Sequence, residues 1–297
     1  MRTSLKHVPA LSERAGVPVY LKLESEQPTG AFKLRGAWNF MRQLPPEVRD
    51  RGVITYSSGN HGQAVAFAAQ RVGARAVVVM PETVSAVKIE GVERWGGEVM
   101  FAGTTSEDRY VRAMELADEQ GLTPVPPFEH PHIIAGQGTV GLEIVEELPG
   151  VAHVTVPVGG GGLIAGITTA VKALNPNVRI TAVEPENAAA LGAALAAGRP
   201  VRLAETSSIA DGLLPLSVGA LTFEHVKGHV EAVTVADSAI AAATVWLHEE
   251  QGELVEPSGA ATTAALRVGA FEPAGPTVLV VSGGNVDPSL IAGLADT

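Results

Sequence analysis

The sequence contains no cysteine. That removes disulfide frameworks, thiolate metal sites and cysteine nucleophiles from consideration. Aromatic residues make up only 4% of the 297 positions, which suits close helix-on-sheet packing better than an aromatic-rich sandwich. No uninterrupted apolar run is long enough to span a bilayer, and the N-terminus lacks a basic-then-apolar leader pattern. Nor is there a lysine/arginine cluster to neutralise phosphates. The 21 Lys and Arg stand against 32 Asp and Glu, a net charge of −11, which argues against nucleic acid as a partner. Internal repeats and low-complexity linkers are absent too. The expectation is a cytoplasmic α/β protein, large enough for one large or two medium domains, with neither membrane nor nucleic acid as a partner.

What is there is a regular alternation of short apolar runs and helical patterns. Strands are expected at 17–23, 53–56, 76–80, 98–102, 153–158, 178–183, 230–235 and 277–281. Helices are expected up to Met41, then over 63–71, 84–95, 106–120, 138–148, 163–174, 188–197 and 259–268, with Asp237 capping one more that Gly252 ends. Residues 203–228 read as irregular, and the proline-rich 122–132 as a crossing between domains. Residues 51–129 then form a small doubly wound domain, and 1–50 with 130–297 a large one.

Three strand-to-helix loops and one lysine carry the chemistry. Lys33 lies between Phe32 and Leu34. A dehydrated lysine loses part of its proton affinity and becomes a nucleophilic amine suited to Schiff-base chemistry; the plainer reading puts it on the rim of an apolar helix face. Gly159-Gly160-Gly161-Gly162 follows a buried strand and opens a helix. Without Cβ atoms its amides can converge on an anion, most often a phosphate. The same glycines fit a rival: Gly160-x-Gly162-x-x-Ala165, with Glu184 closing the next strand, matches the dinucleotide fingerprint of a nicotinamide-dependent dehydrogenase. Ser57 to Gly62 could hold a carboxylate at a helix N-terminus. A serine-hydrolase reading of Ser58 and His61 lacks the G-x-S-x-G elbow. Ser282-Gly283-Gly284-Asn285 ends a third buried strand, at the edge where α/β sheets take ligands. His225 and His229 have i,i+4 metal-ligand spacing, or lie on a solvated helix face.

Taken together, Thr29-Gly-Ala-Phe-Lys-Leu-Arg-Gly36, Ser57-Ser-Gly-Asn-His-Gly-Gln63, Ala135-Gly-Gln-Gly-Thr139, Gly159 to Gly162, Ala210-Asp-Gly212, Glu256-Pro257 and Ser282-Gly-Gly-Asn285 closely resemble the fold-type II pyridoxal-phosphate enzymes. The branch they match is that of serine/threonine dehydratases and serine racemases, and the likeness covers nearly the whole chain. It implies a tryptophan synthase β-like α/β fold, with two doubly wound domains and pyridoxal 5′-phosphate in the cleft between them. It implies an ammonia-lyase that turns L-threonine or L-serine into a 2-oxo acid and ammonia, working as a homodimer or homotetramer. A racemase or a 3-hydroxyaspartate dehydratase is the alternative on the same scaffold.

By the same resemblance Lys33 carries the cofactor and moves the α-proton, and Ser58 serves the opposite face. Phe32, Asn60, Gly159, Gly160, Gly161, Gly162, Leu163, Glu256 and Ser282 bind the cofactor, with Asn60 on its 3-oxygen and Ser282 facing its ring nitrogen. Ser57, Ser58, Asn60, His61 and Arg109 bind the substrate. Metal-binding members carry a Glu, a carbonyl and an Asp at a further site. Here Glu184 and Ala188 remain but Ala190 replaces the Asp, so no metal is expected. Relative to the family the chain is expected to start late, without the usual N-terminal helix, and to lack the regulatory domain of biosynthetic threonine dehydratases.

Overall fold

A computed structural model describes every residue except Ser58, Ser85, Asp296 and Thr297. In chain order its strands are β1 (Leu5–His7), β2 (Val19–Leu23), β3 (Val53–Tyr56), β4 (Ala76–Met80), β5 (Glu98–Phe101), β6 (Thr123–Pro124), β7 (His153–Pro157), β8 (Arg179–Pro185), β9 (Glu231–Val235) and β10 (Thr277–Val281). Its helices are α1 (Pro9–Ala15), α2 (Lys33–Gln43), α3 (Pro46–Arg51), α4 (Asn60–Val72), α5 (Ala86–Glu93), α6 (Ser106–Gln120), α7 (Pro131–Glu147), α8 (Gly162–Leu174), α9 (Ala190–Ala197), α10 (Ala220–Val226), α11 (Asp237–Glu249), α12 (Pro257–Val268) and α13 (Pro288–Ala295).

The chain divides into two compact units, Met1–Phe32 with Gln137–Thr297, and Lys33–Gly136. The first is built on a sheet of order β1-β2-β10-β7-β8-β9. β1 pairs antiparallel with β2, and every other neighbour is parallel. Sheets of that kind are covered on both faces, which is why β7 and β10 are buried throughout and rich in β-branched Val and Thr. The α12 helix supplies much of one cover: Ala260, Ala261, Ala264 and Ala265 pack with Leu21, Val183, Leu279 and Val281. Small side chains let that helix approach the sheet closely. Because β7 and β10 run side by side and in register, the loops after their C-terminal ends emerge at one edge.

The second unit has a parallel sheet of order β5-β4-β3-β6. Its core joins α2 to α4 through Leu34, Ala37, Phe40, Met41, Ala64, Val65, Phe67 and Ala68. That packing puts the unit's boundaries at Lys33 and Gly136, where the sequence suggested 51 and 129. The apolar face of α2 finds its partner in α4.

Other elements also depart from expectation. Residues 203–228 are not wholly irregular, for α10 lies within them, and α7 begins at Pro131 rather than near 138. A proline is well accommodated in a first helical turn. Asp237 does not cap α11 but is its first residue, and its carboxylate instead receives the Ser208 hydroxyl and the Ile209 amide. β1 and α1 precede β2, and His225 and His229 do not share a helix, since α10 stops at Val226.

Glu184 closes β8 fully buried. Its two oxygens accept from the amides of Leu191 (2.7 Å) and Gly192 (2.8 Å), in the first turn of α9. Burial pushes its carboxyl up to about 7 against the pull of those amides. Replacing Glu184 by Ala should therefore cost about 2 kcal/mol, the penalty for orphaning buried amides. A folded-state value raised above the ordinary 4.5 means that the native state favours the protonated form. That contribution is fully present below pH 4.5 and is lost as pH rises through 7. Urea unfolding of the two proteins should show a stability gap that narrows from pH 5 to pH 8.

Candidate active site

In the second unit the functional side chains converge on one short segment. β6 lies parallel to β3, and the Val125 amide extends that pairing by donating to Ile54 O (2.8 Å). The segment beyond it presents two carbonyls. Val125 O receives the Thr55 hydroxyl (2.8 Å) and His61 Nε2 (3.1 Å). Pro127 O receives Lys33 Nζ (2.7 Å). Lys33 is the first residue of α2, and burial lowers its ammonium from 10.5 to about 8. The positive end of a helix dipole disfavours a cation there as well.

His61, in the first turn of α4, is buried, and its pKa falls to about 3 through dehydration and the nearby charge of Lys33. Ser57 Oγ accepts the Gly59 amide (3.1 Å), which turns the loop into α4, and Asn60 begins that helix. Ser58 lies outside the described residues. Lys88, from α5, lays its stem within 3.6 Å of where a Cβ on Gly59 would stand, adding a cation that the sequence pattern did not flag. Arg109, on α6, donates to Ser106 Oγ (2.9 Å) and has a buried Nε with no hydrogen-bond partner among the described residues.

The first unit holds the glycine loop. Gly161 sits at φ +90°, a left-handed conformation, and a Cβ there would stand 2.8 Å from Thr222 Oγ1. A Cβ on Gly159 would meet Gly212 O at 2.9 Å. The Gly160 carbonyl is drawn towards α10 by the Thr222 hydroxyl (3.0 Å) and the Gly219 amide (3.2 Å). Gly162 and the buried Leu163 then open α8. Thr222 and Ser258, whose Oγ accepts the Gly212 amide (2.9 Å), buttress the loop. Neither was singled out in the sequence. Ser258 follows the Glu256-Pro257 motif and could have been found through it, whereas Thr222 sits in the stretch read as irregular.

The end of β10 is tied to the segment before Lys33. Phe32 N–H donates to Ser282 O (3.0 Å), Ala31 bridges Gly283, and Gly284 N–H donates to Gly30 O (2.8 Å). Asn285 Nδ2 donates to Thr29 O (2.8 Å). Glu256 N–H donates to Gly283 O (3.2 Å), and both Glu256 and Ser282 are buried. Gly159 to Gly162, Leu163, Ser282, Glu256 and Phe32 thus belong to the first unit, and Lys33, Ser57, Asn60, His61 and Arg109 to the second.

The nicotinamide reading loses its footing here. Glu184 is buried beneath α9 with both oxygens engaged, where a ribose hydroxyl could not reach it. His225 Nδ1 is hydrogen-bonded to Thr169 Oγ1 (2.9 Å), which also reaches Ala165 O (2.8 Å). Among the described residues no three His, Asp or Glu side chains cluster as a metal site would need, and no helix is long and apolar enough to cross a membrane.

A dehydrated amine, a glycine loop at a helix N-terminus and strand-end loops on parallel sheets define an α/β enzyme of the Schiff-base kind. Comparison with known proteins gives the family. Residues 1–283 match the model of the pyridoxal-phosphate dependent enzymes, and the chain belongs to that family. It is 44% identical to the L-threonine ammonia-lyase of Geobacter sulfurreducens over 295 residues, covering 98% of this chain and 73% of that protein. It is 43% identical to the enzyme of the same name from Thermotoga maritima, again over 98% and 73% of the two chains. Among solved structures, maize serine racemase superposes with a TM-score of 0.94 at 36% identity, covering 100% of this chain and 92% of that one. The processed form of threonine deaminase isoform 2 from Solanum lycopersicum superposes with a TM-score of 0.94 at 38% identity, covering 100% and 83%.

The residues present fit the cofactor. Gly159 to Gly162 bring backbone amides without side chains to the N-terminus of α8, as a phosphate would need, and Lys33 offers an amine close to its reactive form. Amine-directed labelling of the cofactor-free protein, read by peptide mapping, should reach half-maximal rate near pH 8 at Lys33. Surface lysines should need pH above about 10.

Proposed function

We propose that this chain is a pyridoxal-phosphate dependent ammonia-lyase that eliminates water from L-threonine or L-serine and releases a 2-oxo acid and ammonia. The observation that carries the reading is Lys33, whose amine is lowered to about 8 by burial and stands on Pro127 O beside a loop suited to a carboxylate. The names of the ammonia-lyases at 44% and 43% identity support it.

When bound, the cofactor supplies an electron sink for the charge left as Cα loses its proton. Lys33 is the base. A lysine at its ordinary 10.5 would be almost wholly protonated at neutral pH, whereas one near 8 offers a useful fraction of free amine. The amides at the N-terminus of α4, with Ser57 and Asn60, take the substrate carboxylate. Since Ser57 Oγ accepts from Gly59, its own proton is free to donate. Gly159, Gly160, Gly161, Gly162 and Leu163 would hold the cofactor phosphate through backbone amides. Phe32 and Glu256 would flank the ring, and Asn60 would bond its 3-oxygen. Ser282, a neutral hydroxyl, would face the ring nitrogen without stabilising a positive charge on it. Arg109 would add a cation towards the substrate. This reading includes a cytoplasmic location and a homodimer or homotetramer, the latter open to analytical ultracentrifugation.

The protein loaded with pyridoxal phosphate should convert L-threonine to 2-oxobutanoate and ammonia, and borohydride should fix the cofactor on the Lys33 peptide. Lys33→Ala should lower the rate about 1,000-fold or more. A wild-type protein that yields no oxo acid from either threonine or serine would overturn the reading.

Maize serine racemase, at a TM-score of 0.94, favours racemisation as a second activity. Inversion needs a proton donor on the face away from Lys33, and Ser58 is our candidate. Ser58→Ala should abolish interconversion of L- and D-serine while elimination from L-threonine persists at a reduced rate. Chiral chromatography decides it, and continued racemisation would move the role to another residue.

A further inference from the structure

His61 was read from the sequence as a carboxylate ligand, yet its ring is arranged to accept rather than donate. Val125 O can only accept, and it already receives the Thr55 hydroxyl, so His61 Nε2 at 3.1 Å must carry the ring proton. Nδ1 is then a bare lone pair. The residue is 3% exposed, and among the described residues Nδ1 has no hydrogen-bond partner. With its pKa near 3 the imidazole stays neutral throughout the physiological range, so this nitrogen does not become a donor. An unpartnered buried acceptor is costly, and in a native structure it calls for an explanation. The ring springs from the first turn of α4, next to Asn60, and leans on the same Val125–Pro127 segment that holds Lys33 Nζ.

The lyase reading limits what could satisfy that atom. An amino-acid substrate has three polar groups. Its carboxylate has no hydrogen to give. Its α-amino group is taken by the cofactor. Only the β-hydroxyl is left as a donor.

We propose that His61 Nδ1 receives the β-hydroxyl of the bound amino acid, making His61 a specificity-determining residue for hydroxy amino acids rather than a carboxylate ligand. This rests on the function proposed above. The Val125 carbonyl fixes the tautomer and the ring plane, and the orphaned lone pair is what a hydroxyl-bearing substrate satisfies and an alkyl one leaves bare.

The test compares L-threonine and L-serine with 3-chloro-L-alanine, which keeps the carboxylate and amine but replaces the hydroxyl with chloride. His61→Gln keeps a donor for Val125 O and removes the acceptor. His61→Asn places an oxygen near the Nδ1 position. In the holoenzyme, His61→Gln should lower kcat/KM for threonine and serine about tenfold and leave chloroalanine within about twofold, and His61→Asn should restore part of the loss. An equal loss on all three substrates would overturn the hydroxyl assignment while leaving the lyase standing. A wild-type enzyme inactive on threonine and serine would instead sink the lyase reading itself.

A second measurement needs no variant. In ¹⁵N-histidine holoenzyme, His61 should show the Nε2–H tautomer from about pH 5 to pH 9, well above its lowered pKa. Its Nδ1 resonance should move upfield with α-methyl-L-serine, which has no α-proton to lose, and stay in place with 2-aminoisobutyric acid, which lacks the hydroxyl. An Nδ1–H tautomer, or the same response to both compounds, overturns the proposal.

Discussion

An amine useful at neutral pH must be taken out of water without being handed a carboxylate. A carboxylate beside Lys33 would restore the proton that burial removes. One acceptor on its Nζ is a backbone carbonyl, that of Pro127, which supplies a hydrogen bond but no net charge. The ammonium accordingly rests near 8 through burial. A carbonyl in this role must be rigidly placed, and this one is. Two residues upstream Val125 is pinned to β3 by its amide, and its carbonyl is pinned by the Thr55 hydroxyl and the His61 ring. The geometry at Lys33 is thus inherited from the pairing of β6 with β3 and from the packing of α2 on α4.

In the proposed function the first unit faces a different problem, that of attracting an anion to a chain with a net charge of −11. Backbone dipoles would serve it. Four glycines after β7 leave the amides unobstructed at the N-terminus of α8, and the Gly160 carbonyl is drawn aside by α10. Their neighbours account for the absence of side chains. A Cβ on Gly159 or Gly161 would run into Gly212 O or Thr222 Oγ1, each under 3.0 Å away. Such a cradle tolerates substitution poorly, because φ at Gly161 and the space around Gly159 are constrained independently.

Much of this was legible in the sequence because glycine and proline report backbone demands directly. The strand-glycine-helix loops and the α/β alternation were read from local residues alone, whereas Lys33 stood out only in company with those loops. What escaped was set by distant partners. The α10 helix spans only seven residues, too few to show a period. The start of α7 was hidden by the proline-rich stretch 122–132, and the glycines of its first half are explained only by tertiary contacts. Gly136 accepts the close approach of the Arg35–Gly36 backbone, and Gly138 and Gly141 that of the α8 backbone. The direction of the His61 ring was equally out of reach, since its partner Val125 lies 64 residues away in the chain. A sequence can show that a histidine is present in a loop, but which nitrogen carries its proton is decided by the acceptor that tertiary structure brings to it.

Glu184 makes the same point from the opposite side. With Gly160-x-Gly162-x-x-Ala165 ahead of it, it satisfied the spacing of a dinucleotide site, and spacing could not reject that reading. The carboxylate is instead turned inward, where it caps α9 through the amides of Leu191 and Gly192 and is dehydrated enough to titrate near 7. A ribose-binding carboxylate must be ionised, solvent-facing and unengaged, and Glu184 is none of these over much of the pH range. The two readings share every residue of the pattern and differ only in which atoms are left with unused hydrogen-bonding capacity. In this chain one such atom is Nδ1 of His61, whose ring leans on the segment that holds Lys33. A bare buried atom does not mark a binding position by itself, since among the described residues His153 Nδ1 is bare as well in β7; what distinguishes His61 is that its ring shares the Val125–Pro127 segment with the Lys33 amine.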